Sequence, residues 1–171
     1  GSGGESEIIL SSRIRLARNF EQRRFTHHAK NEELAGILDE ARAVAADTDS
    51  LAESRFMNMG DASTLDRQFL AERHLVSREF LFNSSNRGLF VNLPEDLCLM
   101  INEEDHLRIQ AYSPGLELDR AFQLAGRLDR ELAPQLRFAY SDRFGYLTAC
   151  PTNLGTGLRA SVLIHLPGLV H

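Results

Sequence analysis

Leu97-Cys98-Leu99-Met100-Ile101 is an unbroken apolar pentad, and it constrains the fold more than any other segment. It is far too short to cross a bilayer, which takes about 20 residues of helix, and no other apolar run approaches that length. A short run of this kind bounded by polar turns is a buried strand. His106 to Tyr112, across the polar stretch Asn102-Glu103-Glu104-Asp105, is its expected antiparallel neighbour.

Further elements follow from periodicity. Glu7 to Leu10 reads as a strand leading into Ser11-Ser12-Arg13-Ile14-Arg15. Asn31 to Ala46 opens on a capping residue and two glutamates, with Leu34, Ile37, Leu38, Ala41 and Ala45 at helical spacing. A second helix is expected over Ala62 to Arg73, capped by Asp61 or Ser63, with Leu65, Phe69 and Leu70 inward. Turn residues from Asn83 to Gly88 precede a strand at Leu89-Phe90-Val91. Glu117 to Leu132 is the strongest helix pattern, with Leu118, Phe122, Leu124, Ala125 and Leu128 on or near one face and Pro134 just beyond. Leu136 to Tyr140 and Gly145 to Ala149 flank Ser141-Asp142-Arg143-Phe144 as a hairpin. Leu158 to Leu166 reads as a last strand before Pro167-Gly168. The fold class is therefore α+β, a largely antiparallel sheet flanked by helices.

At 171 residues the chain is one domain or a large part of one. Gly1 to Gly4 reads as a cloning remnant, leaving 5–171 as the N-terminal and central part of a domain. The 43% hydrophobic and 25% charged content excludes a disordered or fibrous chain. A net charge of −5 argues against nucleic acid as a partner, and no segment calls for a membrane. Two cysteines without an export signal point to a reducing, cytoplasmic setting.

Three segments carry chemistry, each expected where a strand ends in a loop. In extended Ser11 to Arg15, Arg13 and Arg15 point the same way, either as a solvated strand face or as two forks suited to phosphate oxygens. Glu103-Glu104-Asp105 is either a solvated turn or a carboxylate set serving a cation or proton at the edge of the core. In Cys150-Pro151-Thr152, a hydroxyl two residues on can stabilise a thiolate, and Gly155 and Gly157 permit close backbone approach; a buried structural cysteine is the alternative. His27-His28 reads as a solvated pair without metal-ligand spacing, and Cys98 as core.

Taken together, Ser11 to Asn19, Asn102 to Gln110 and Cys150 to Leu166 resemble the ATP:guanido phosphotransferases, the family of phosphagen kinases and bacterial protein-arginine kinases. The similarity runs in order over nearly the whole chain. It implies an antiparallel sheet flanked by helices, ATP and Mg2+ as cofactors, and a guanidino substrate. By that resemblance Arg13, Arg15, Arg108 and Arg159 grip the ATP phosphates. Ser11, Ser12 and Ile14 complete the first phosphate segment, and Ala160, Ser161, Val162 and Leu163 continue the nucleotide-binding stretch. His74 matches a histidine near the adenine. Glu104 matches the carboxylate that holds and deprotonates the guanidinium, with Asp105 its neighbour, and Cys150 the reactive cysteine tuned by Thr152. Magnesium is expected on phosphate oxygens and water, with no protein ligand named.

Glu72 to Ser77, Arg108-Ile109-Gln110 and Gly145 to Thr148 look like the protein-arginine kinase branch, whereas Arg87-Gly88-Leu89-Phe90 looks like the phosphagen kinases. The expected function is ATP-dependent phosphorylation of arginine in proteins. A kinase for free, small guanidines and a non-catalytic nucleotide- or phosphoarginine-binding module are the alternatives. The resemblance also implies a helix and an Arg-Gly-x-x-Gly-Glu loop beyond His171, bringing one more phosphate arginine and a second carboxylate. An apolar face open to a homo-oligomeric partner is the corresponding expectation.

Overall fold

The computed structural model describes residues 8–73, 75–82 and 85–166. Eight strands and four helices follow in the order β1 (Ile9–Arg18), α1 (Asn31–Ala46), β2 (Ser54–Asn58), α2 (Thr64–Glu72), α3 (Arg78–Phe82), β3 (Gly88–Asn92), β4 (Leu97–Ile101), β5 (Leu107–Pro114), α4 (Leu118–Leu132), β6 (Tyr140–Ser141), β7 (Gly145–Tyr146) and β8 (Leu158–Ile164). Six strands form one sheet in the order β2-β3-β4-β5-β1-β8, antiparallel at every step. The α+β class read from the sequence is the one observed.

Strand alternation divides the sheet's two faces. Ile14, Leu16, Leu97, Leu99, Ile101, Leu107 and Ile109 join Ile37, Leu38 and Ala41 of α1 and Ala121, Ala125, Leu128 and Leu132 of α4 in the main core. On the opposite face Leu89, Cys98 and Met100 pack with Leu70 of α2, Leu75, Val76 and Phe80 of α3. All five residues of β4 are buried because both faces are covered there. The second cover does not extend over the β5-β1-β8 side, where polar and charged side chains form the surface. That uneven cover places the site.

Several expectations change in detail. β1 runs straight through the Ser11 to Arg15 motif, because both its neighbours supply ladder partners along that length. Glu7, Asn83, Ser84, Pro167 and Gly168, named above, lie outside the described residues. Lys30 takes the cap position of α1, and its backbone N–H donates to the Glu33 carboxylate at 2.8 Å, so Asn31 begins the helix proper. Ser63 caps α2 by accepting from the Asp66 N–H at 3.2 Å. Leu65 and Phe69 of that helix are exposed, as is Phe122 of α4, since narrower helix stripes face the sheet. The expected long hairpin shrinks to two residues a side, β6 and β7, and β8 stops at Ile164. β2 and α3 carry no strong apolar period and were not expected.

Arg18, at the end of β1, ties the last third of the chain to the sheet. Its guanidinium is nearly fully buried and grips Asp129 of α4 at 2.9 and 2.8 Å. It also donates to the Thr156 carbonyl at 3.0 Å and stacks over the Tyr146 ring at 3.7 Å. Gly157 fits beneath it: its φ is +64°, and a Cβ there would lie 2.5 Å from both Ala17 O and Arg18 Nη1.

Candidate active site

The β-ladder register brings the arginines together. Arg13 pairs across with Tyr112 and Ser161, Arg15 with Gln110 and Arg159, and Ala17 with Arg108. Directly paired residues share a face, so Arg13, Arg15, Arg108 and Arg159 all project from the side that α2 and α3 leave open. Arg13 Nε donates to Ser161 Oγ at 3.2 Å. Arg15 is half-buried, and its Nε is buried without a hydrogen-bond partner among the described residues. Burial first, then the charges of Arg13, Arg108 and Arg159, push its pKa down to about 10. Like charges held this close, with a buried donor left over, suit a polyanion.

The same register sorts the other expected residues. Ser11, Ser161 and Leu163 share the arginine face, whereas Ser12, Ile14, Ala160 and Val162 point to the helix side. Ser12 is fully buried there, donating to Gly115 O at 2.7 Å and accepting from the Glu117 N–H at 3.0 Å. Ile14 belongs to the main core. Those four therefore shape the strands without facing the arginine floor. His74 lies outside the described residues.

The acidic turn between β4 and β5 closes one end of the floor. Arg108 Nη2 lies 2.9 Å from Glu103 and 3.4 Å from Glu104. Glu103 is buried and accepts from Ser77 Oγ at 2.8 Å and from the Glu104 N–H at 2.6 Å. Glu104 is the exposed member of the turn, free to meet a ligand. Thr26 Oγ1 donates to its carbonyl.

Asp105 is buried, and its Oδ1 accepts from Asn19 Nδ2 and from the Ala149 N–H, each at 2.6 Å. It thus fixes the segment that enters Cys150, while its Oδ2 is buried without a hydrogen-bond partner among the described residues. Cys150 is half-buried, its Sγ 2.9 Å from Thr152 Oγ1.

Two cavities meet at this turn. One, of about 490 Å³, is bounded by Arg15, Arg108, Ser77, Glu79, Arg87, Glu103 and Glu104. The other, of about 440 Å³, is bounded by Thr26, His27, Asn31, Leu34, Ser85, Arg87, Asn102, Glu103, Glu104 and Ala149. Glu103, Glu104 and Arg87 line both. Arg87 donates from Nε to Asn102 O at 2.9 Å and from Nη1 to Glu79 O at 2.7 Å.

Glu103 belonged to the expected carboxylate set, but the parts played by Asn19, Arg87 and His106 were not read from the sequence. Asn19 and His106 are buried polar residues and Arg87 is half-buried, environments that periodicity exposes only once the sheet register is known. His106 is fully buried; its Nδ1 accepts from the Phe20 N–H at 2.9 Å and its Nε2 lies 2.8 Å from Arg24 O. Nε2 therefore carries the proton in a neutral ring. Burial, the largest cause, holds its pKa below the ordinary value of 6.5. The unfolded chain then binds the extra proton more readily than the folded one. Stability is full above pH 6.5 and falls as the pH drops through the folded pKa. Urea unfolding across that range is expected to show this loss, and His106→Gln is expected to flatten it.

A floor of four arginines ending at an exposed carboxylate belongs to a class of site chemically suited to an anion beside a cation. Comparison with known proteins makes the class specific. The family model described as ATP:guanido phosphotransferase, C-terminal catalytic domain, matches residues 36–171, and the chain belongs to that family. It is 42% identical over 170 residues to a protein-arginine kinase of Pelotomaculum thermopropionicum, covering 98% of this chain and 48% of that protein. It is 43% identical over 170 residues to one of Bacillus subtilis, covering 98% and 47%. The chain thus spans about half the length of these curated relatives. The substrate-free duplicated taurocyamine kinase of Schistosoma mansoni superposes with a TM-score of 0.84 at 28% identity, over 95% of this chain and 25% of that one. A lombricine kinase shares the fold, with a TM-score of 0.84 at 24% identity, over 95% and 49%.

Proposed function

We propose that this chain carries the nucleotide-gripping and proton-accepting parts of a kinase that phosphorylates arginine guanidinium groups in proteins with ATP. Glu104 carries the reading: it lies 3.4 Å from Arg108 on the arginine floor and also lines the second cavity, beside the Cys150 segment. ATP phosphates fit the floor, where Arg15 offers a buried donor with no partner among the described residues and its neighbours offer charge. Magnesium would be held by phosphate oxygens and water, neutralising the triphosphate.

The guanidine enters from the second cavity. A guanidinium is a poor nucleophile because its lone pairs are delocalised and it stays protonated to a pH of roughly 12 or more. Glu104 accepts a proton as a guanidine nitrogen bonds to the γ-phosphorus. The bond from that phosphorus to the β–γ bridging oxygen breaks, and ADP departs with its electron pair. Cys150, with Thr152 against its sulfur, steadies the cation from the other side, and Asp105 holds that segment in place. Alignment and charge neutralisation are the main demands of such a transfer.

Protein substrates are favoured by the likeness to proteins named protein-arginine kinase. A cytoplasmic setting accompanies the reading; among the described residues no helix is long and apolar enough to cross a membrane. Leu10, Val162 and Ile164 are exposed along the β1-β8 side of the sheet, and we read that edge as a self-association surface. Light scattering that finds a monomer at every concentration would remove that last element. Incubation with ATP and an arginine-rich protein, with free arginine in parallel, tests the function. Acid-labile phosphate on the protein is the expected result; phosphate on free arginine alone would shift the substrate to small guanidines.

A further inference from the structure

The loop between β1 and α1 presents an aromatic row beside Glu104 that the reaction above does not use. His27 is exposed, lines the cavity of about 440 Å³ that also holds Glu104, and has two ring neighbours in its own loop. Its centroid is 6.3 Å from that of Phe25 at an interplanar angle of 20°, and 4.2 Å from that of His28 at 50°. Thr26, one residue earlier, donates to the Glu104 carbonyl, so the loop is fastened to the turn that carries the carboxylate. The row therefore keeps a set position relative to Glu104.

Planar cations and their aliphatic stems pack on aromatic faces, and imidazole offers such a face together with a hydrogen-bonding edge. The charged groups around this cavity are Glu103 and Glu104 from the β4–β5 turn and Arg87 from the start of β3. Arg87 is already engaged with two backbone carbonyls. The carboxylates thus attract a guanidinium, and a planar ring at the mouth orients it. We infer that His27 is a specificity-determining residue, the wall of the guanidine cavity against which the substrate's arginine side chain packs as it reaches Glu104. The inference rests on the function proposed above and names one wall of that same site.

Its experiment separates the two. ADP with magnesium and an arginine-containing peptide, N- and C-terminally blocked, are titrated separately into the wild-type chain, His27→Ala and His27→Phe, with calorimetry and histidine-ring NMR. His27→Ala is expected to weaken the peptide about threefold to tenfold, the range of a ring–cation contact at a partly open site. His27→Phe is expected to restore most of the affinity, because it keeps the ring. ADP affinity is expected to be equal in all three chains. The His27 ring signals should shift with the peptide and stay in place with ADP.

Unchanged peptide affinity in His27→Ala overturns the inference, as does failure of His27→Phe to rescue. A wild-type chain that binds ADP but no peptide overturns it too, while leaving the nucleotide floor intact. Loss of ADP binding in the wild type would instead overturn the function itself.

Discussion

Replacing Arg15 with methionine is expected to weaken ADP and ATP binding by roughly 10-fold to 150-fold, the loss of a hydrogen bond between charged groups. The nucleotide-free protein is expected to become more stable by the same change. Arg15 lies directly opposite Arg159 in the ladder, and burial first, then the charges of Arg13, Arg108 and Arg159, lowers its pKa to about 10. Its Nε is buried without a hydrogen-bond partner among the described residues. Methionine keeps much of the stem's packing and removes both the repulsion and the unsatisfied donor, a gain of roughly 0.2–1 kcal/mol by analogy with like-charged cross-strand pairs. Calorimetric titration and urea unfolding of the same preparation measure the two effects. A variant that loses stability, or binds nucleotide as before, would show that the floor is a structural surface. A site that is costly when empty is common where function needs concentrated charge.

Glu104→Gln should have its largest effect on turnover. The amide keeps the side chain's size and its position beside Arg108, but it cannot accept the proton that the guanidine must lose. Phosphorylation of arginine is expected to fall by roughly a hundredfold to ten-thousandfold, the usual worth of a positioned general base. Nucleotide affinity should hold within a few fold, because Glu103, which bonds Arg108 at 2.9 Å, remains. Single-turnover measurement of phosphoarginine, with ADP affinity measured alongside, separates chemistry from binding. Equal rates in the two chains would move the proton to another group.

Much of this arrangement was legible in the sequence, because β-strands alternate with a period of two. Arg13 and Arg15 could be placed on one face before any neighbour of β1 was known. The unbroken apolar pentad at Leu97 and the helical apolar spacing of α1 and α4 located the core. The reading faltered where the burial pattern depended on distant partners. Ser12 and Ile14 were grouped with the arginines beside them in the motif, yet the alternation that unites Arg13 and Arg15 sends these two the other way. α2 buries a narrower stripe than its sequence offers, leaving Leu65 and Phe69 outside. β2 is a half-buried edge strand, with no apolar run to announce it. Asp105 was placed beside Glu104 in the motif and His106 at the start of a strand, but only the folded chain shows their partners on Asn19, Ala149, Phe20 and Arg24. His27 had no period to betray it, since its meaning depends on which cavity the loop borders.

β1 sits between β5 and β8, so its hydrogen-bonding partners come from the middle and the far third of the chain. Arg18 and Gly157 join that far third to the first strand by direct contact. The arginine floor therefore has no local precursor: Arg13 and Arg15 meet Arg108 and Arg159 only after two long loops have closed, the slow and entropically expensive events of folding. A partly folded chain, however helical, has nowhere for a triphosphate to settle. On the function proposed for this site, nucleotide capture would be an all-or-none witness to the finished topology, and a molecule that binds would already have brought its distant segments home.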